Sequence, residues 1–158
     1  MTNPFTPPSA RVSGAPPEKG SPYKAVLWGL LVDWGGTLTA GVMLSVLYGA
    51  MLASSGMPPE EIEEALRNIP VDSWVSVAGM AVGALCSGLG GYVCARVAKH
   101  NEFVLGAVLA LLSVSLGLLV GSESYSLLEH LGLSVLSFLA VMFGVRLGAA
   151  RNAPEGAG

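Results

Sequence analysis

The sequence predicts an all-α membrane protein: a four-transmembrane-helix bundle with both termini cytoplasmic and a short amphipathic helix on the outer side. Three observations predict it. Of 158 residues, 52% are hydrophobic and 12% charged, and the mean hydropathy is +0.61. That is more apolar surface than a soluble domain of this length can bury. The apolar residues fall in four long stretches, about 25–54, 74–98, 103–120 and 127–150. Each approaches or exceeds the roughly 20 residues that cross about 30 Å of hydrocarbon. Of the eight basic residues, Arg11, Lys19, Lys24, Arg96, Lys99, Arg146 and Arg151 flank one side of these stretches and only Arg67 the other. Lys and Arg are depleted from translocated loops, so the termini belong inside.

Residues 1–23 hold many of the prolines among Ser, Gly, Lys and Arg, without apolar periodicity, and read as a disordered cytoplasmic tail. The first apolar run begins at Ala25 and is too long for a cleavable signal peptide. The first span, 25–54, exceeds the membrane thickness and is expected to tilt or project. In the loop that follows, Pro58 and Pro59 start a helix and the glutamates suit its first turn. Ile62, Leu66 and Ile69 share a face until Pro70 ends it. A helix over 59–69 is therefore expected, lying on the membrane surface or over the bundle, as a structural cap or as a docking surface. Spans 74–98 and 103–120 are joined only by Lys99, His100, Asn101 and Glu102, so they form an antiparallel hairpin, with Asn101 a candidate N-cap. The fourth span is 127–150, and 151–158 form a second cytoplasmic tail. Trp74, Tyr125 and Tyr23 fall near water–lipid boundaries, where amphipathic rings are favoured.

The 21 glycines are informative through their spacing. In the first span Gly29, Asp33, Thr37, Gly41, Ser45, Gly49 and Ala53 recur every four residues; in the second, Gly79, Gly83, Ser87, Gly91 and Ala95 do the same. Small residues at this interval let helix backbones approach closely, which pairs spans one and two within one chain or supports a homodimer contact. Asp33 is the one acidic residue well inside an apolar span, roughly 12 Å beyond its start at Ala25. A carboxyl at that depth costs on the order of 3 kcal/mol on insertion scales and requires a partner. Tyr92 lies at comparable depth on the second span, with Arg96 one turn nearer the cytoplasm. Asp33, Tyr92 and Arg96 thus form the candidate polar site, with Arg146 as a further basic group that reaches it by snorkelling. Three roles stay open for Asp33: a clamp on helix register, a proton or cation site, or a contact with a partner protein or lipid headgroup.

Other residue clusters point to no chemistry. His130 with Glu129 and Glu123 lacks further ligands at metal-binding spacing and reads as a solvated outer loop, and His100 as an exposed turn residue. Cys86 and Cys94 stand eight residues apart in one helix, roughly 12 Å along its axis, and cannot bridge. They read as packing residues, with lipid attachment at Cys94 the alternative. Ser113 and Ser115 are expected to bond to their own helix or to a neighbour. No activated nucleophile, phosphate loop, dinucleotide fingerprint or zinc motif occurs, so no enzyme activity, cofactor, metal or nucleic-acid partner is expected.

The run Gly90-Gly91-Tyr92-Val93, followed by Ala95-Arg96, Ala98-Lys99 and Asn101-Glu102, resembles a motif of small four-span bacterial membrane proteins with no known activity. Val32-Asp33, Gly36-Thr37, Tyr48-Gly49, Gly56-Met57 and Pro59-Glu60-Glu61-Ile62 are similar too, so the resemblance covers about residues 24–150. It implies a bacterial inner-membrane location and no mechanism. The expected function is a structural or accessory membrane component that associates with itself or a larger complex. The alternative is a small oligomeric ion- or proton-coupled transporter or channel that uses Asp33.

Overall fold

The computed structural model describes residues 20–120 and 126–152. Of the expected tails only residues 20–23, 151 and 152 are described; Arg11, Lys19, Glu123 and Tyr125 lie outside the described residues. Among those described there are five helices: α1 Pro22–Ser54, α2 Pro59–Arg67, α3 Trp74–Ala98, α4 Glu102–Val120 and α5 Leu127–Ala150. Four of them, α1, α3, α4 and α5, are long and apolar enough to cross a membrane. Their outward faces carry exposed Leu, Val, Phe and Trp along the whole length of the bundle, such as Leu47, Leu85, Leu111 and Phe143. Water does not tolerate apolar surface on that scale, whereas lipid does. The chain is a multi-pass helical membrane protein.

The element boundaries follow local signals. α1 begins three residues before the apolar stretch because Pro22, with its φ already helical, occupies the first turn. α3 opens on Ser73, whose hydroxyl accepts the Ser76 N–H, and closes on Lys99 in the left-handed region at φ 54°. The two-residue turn that follows ends on Asn101, also left-handed at φ 48°, whose carbonyl accepts the Leu105 N–H and so opens α4. α5 starts with a capping box: Ser126 accepts the Glu129 N–H while the Glu129 carboxylate accepts the Ser126 N–H. Glu129 and His130 therefore belong to the first turn of α5, not to a loop, because the cap fixes both backbones helically. α2 ends at Arg67, two residues short of the expected 69. The Pro70 carbonyl is engaged instead by the Ser73 N–H and the Ser76 hydroxyl in the turn to α3.

α3 is the central helix, packed on α1 along one side and on α5 along the other, with α4 closing the bundle against all three. The start of α1, the end of α3 and the end of α5 meet at one end, where the Gly20 N–H donates to the Ala98 carbonyl and the Asn152 amide to the Ala95 carbonyl. We call this the terminal end, and the other the α2 end. The core lies almost wholly towards the terminal end: Ala25, Cys94, Ala95, Ala98, Leu109, Ala110, Val141 and Val145 are fully buried. Towards the α2 end the packing is looser: Thr37, Leu38, Val42 and Val46 of α1 are exposed, although Val75 is buried and the Tyr48 ring meets that of Trp74 edge-on.

Glycine positions explain this asymmetry. A methyl group on Gly29 would lie 2.9 Å from the Gly90 carbonyl oxygen, and one on Gly91 would lie 2.1 Å from that of Val141. On α5, Gly144 and Gly148 meet the backbone of Gly88 and Tyr92 just as closely. The expected pairing of spans one and two is present, but the register differs. Gly90 faces α1, whereas Gly91 faces α5, because consecutive helical residues point about 100° apart. Gly79 and Gly83 meet only the tips of Leu44 and Thr37, at 4.0 Å, and Gly41 faces open space. Gly49 lies under Ile62 and Leu66, so α2 folds down over the end of α1.

Candidate functional site within the bundle

Asp33 sits midway along the bundle, where the tight half ends, and is 3% exposed. Its partners are hydroxyls. Ser87 of α3 donates to Oδ1 at 2.8 Å, and Ser113 of α4 donates to Oδ2 at 2.5 Å. Ser137 of α5 continues the cluster, its Oγ lying 3.3 Å from that of Ser87. Each of the four spans thus contributes one polar side chain to a single hydrogen-bonded cluster, of which Asp33, Ser87 and Ser113 are buried. Buried polar atoms must find partners, and every buried side-chain polar atom among the described residues has one.

A cavity of about 280 Å³ opens from this cluster towards the α2 end, with Thr37, Met80 and Leu133 among its walls. A second space of about 210 Å³ shares Ser113, Gly117, Leu133 and Ser137 with it and reaches Ser134 and His130 at the start of α5. His130, Ser134 and Ser137 are spaced by four and three residues, so one face of α5 lines the way to Asp33. On the other side of the carboxyl the glycine contacts bring α1, α3 and α5 backbone to backbone, and Cys94, Leu109 and Val145 fill the interior between them.

The structure separates Asp33 from the other two residues of the expected site. Tyr92 is five residues beyond Ser87 on α3, and so points about 140° away from the face that meets Asp33. It turns instead to α5, where Arg151 donates to the Tyr92 hydroxyl at 3.2 Å and its guanidinium stacks 5.9 Å from the ring centre. Arg96 donates to the Arg151 carbonyl at 3.1 Å and to the Asn152 side-chain carbonyl at 3.0 Å, and the Asn152 amide reaches Glu102. Arg151 and Asn152 were expected in the free tail; they are docked on α3. Arg146 is exposed. Among the described residues the single ion pair is the exposed Arg67–Glu63 on α2, so no basic side chain pairs with Asp33.

Of the residues that complete the cluster, Ser113 was visible as a polar residue in an apolar span, and it bonds to a neighbour while Ser115 bonds back to Leu111 of its own helix. Ser87 was read only as a small packing residue. Ser137 was missed, although its spacing from Ser134 and His130 marks a polar face on α5. Cys94 is fully buried among these helices, which removes it as an attachment point for lipid, and Cys86 lies against Gly36. No three His, Cys, Asp or Glu side chains converge among the described residues. Comparison with known proteins finds no family model, no curated protein and no solved structure that matches this chain.

Proposed function

We propose that this chain is a non-enzymatic membrane protein that binds a small monovalent cation, a proton included, at Asp33. In this reading the protein lies in a bacterial inner membrane with both termini cytoplasmic, and the site serves ion- or proton-coupled movement. The observation that carries it is the four-helix polar cluster around a single carboxyl with a cavity beside it. A clamp on helix register needs only hydrogen bonds, which Asn or Ser would supply. Asp adds an insertion cost on the order of 3 kcal/mol. Interhelical hydrogen bonds in membranes average about 0.6 kcal/mol, so the two serine donors recover less than half of that. A carboxyl kept at such cost, ringed by hydroxyl oxygens that also accept, suits a hard cation that takes oxygen ligands.

The test uses the full chain in lipid nanodiscs and in proteoliposomes. Sodium, potassium or acid-side proton loading is expected to raise the thermal midpoint, as any ligand specific to the folded state does, and to drive a flux that Asp33→Asn abolishes. A cation-independent midpoint and no Asp33-dependent flux would instead leave Asp33 as a structural clamp. The chain would then be best read as an accessory component that associates with itself or with a larger membrane complex.

A further inference from the structure

We infer a second site, independent of Asp33: a groove between α3 and α5 that holds the acyl chain of an anionic phospholipid, with its phosphate on Arg151 and Tyr92. The groove has a volume of about 680 Å³, within the range of ligand pockets, and opens on the lipid-facing side of the bundle. Its floor is nearly bare backbone, because Gly88 and Gly144 bring α3 and α5 together without side chains between them. Its walls are Leu85 and Leu89 of α3 and Phe143 and Leu147 of α5, all strongly exposed in the protein alone. From Tyr92 to Ala84 it extends about 12 Å along α3. An apolar slot of that length, open to hydrocarbon, is filled by a chain of the same chemistry.

What selects the headgroup is the terminal end of the groove. Arg151 stands there as the C-cap of the spanning helix α5, the end at which a lipid phosphate would be met. Its side-chain contacts are the Tyr92 hydroxyl and ring, both neutral, so its charge is not cancelled by a carboxylate among the described residues. Because Arg151 donates to the Tyr92 oxygen, the phenolic hydrogen remains for a second acceptor. A guanidinium and a phenol side by side form a donor pair for a phosphate oxygen, and charge-assisted bonds of this kind are short and strong. Arg96 is held next to them through the Arg151 carbonyl and adds positive potential. This site rests on the membrane reading of the fold and not on the cation reading of Asp33.

The experiment is native mass spectrometry of the full chain, delipidated and then titrated with phosphatidylglycerol or phosphatidylcholine. One phosphatidylglycerol per chain is expected, held more tightly than phosphatidylcholine. Arg151→Gln should weaken it about fivefold, the effect of one basic charge near an anionic surface, while Arg151→Lys keeps most of the preference. Arg146→Gln, a basic residue of the same helix outside the groove, should leave binding unchanged. Ala140→Phe, which fills the groove, should remove the bound lipid with the arginine intact. Inorganic phosphate in excess should not displace it, since the acyl chain is part of what is recognised. Equal retention of the two lipids, an unchanged Arg151→Gln, or displacement by phosphate alone would overturn the proposal. So would a dimer that Ala140→Phe dissociates, because a second copy would then occupy the groove.

Discussion

At the scale of single residues, Asp33 is held by hydroxyls that come from three other helices, directly or through Ser87. Such a cluster is a set of interhelical bonds whose strength can be measured one pair at a time. A double-mutant cycle between Asp33→Ala and Ser113→Ala, read by unfolding in mixed micelles, is expected to give a coupling of about 0.6–1.7 kcal/mol, the range seen for polar pairs in membrane bundles. A coupling of zero would mean that the two side chains do not sense each other. The same scale explains why Tyr92 does not meet Asp33. Depth along the axis can be counted from the sequence, but azimuth decides contact, and the five residues of helix from Ser87 turn Tyr92 to another neighbour. Ser87, the true partner, had the correct spacing in a stripe that was read for its small size and not for its hydroxyl.

At the scale of elements, glycine decides which helices touch. Gly144 is the sharpest instance, since a methyl group there would lie 1.8 Å from the Gly88 carbonyl oxygen. Gly132, in the second turn of the same helix, would place a methyl group against nothing within 4 Å. Gly144→Ala must push α3 and α5 apart and is expected to destabilise the bundle by about 2 kcal/mol or more, the scale of overpacking in a close-packed interior. Gly132→Ala is expected to be neutral or to stabilise by up to about 1 kcal/mol, because the unfolded chain loses freedom. Thermal midpoints of the two variants in one detergent check the contrast; equal effects would contradict the helix contact. The four-residue stripes announced close packing, and α1 and α3 do pack closely. The comparable contact of α5 with α3 was signalled by Ala140, Gly144 and Gly148, which have the same interval and were not singled out.

At the scale of the whole molecule, the bundle is closed towards the terminal end and open towards the α2 end. Lys24, Arg96, Lys99, Arg146 and Arg151 gather at the closed end, while Arg67 stands at the other beside the glutamates of α2. If that distribution reflects insertion, the closed end faces the cytoplasm and the Asp33 cavity faces outward. Single cysteines placed by Glu61→Cys or Asn101→Cys, in a chain whose own cysteines are replaced by alanine, separate the ends. A membrane-impermeant maleimide added to intact cells is expected to label the first and not the second. The opposite pattern would invert the orientation and direct the cavity to the cytoplasm.

What the sequence determined by itself is the set of elements. Apolar length sets the number of spans, and local caps such as Ser73 and Ser126 set their starts, so α3 and α5 begin and end where expected. These are properties of a few neighbouring residues and of lipid as a solvent, which demands that backbone bonds close within each helix. Only the tertiary structure decided which face of each helix meets which neighbour. It set Gly90 against α1 and Gly91 against α5, gathered Ser87, Ser113 and Ser137 around Asp33, and docked Arg151 and Asn152 on α3. Helices that are apolar on every side carry little one-dimensional record of their rotation. Their azimuth is fixed by close contact between backbones and by a few polar side chains that must find one another across the bundle.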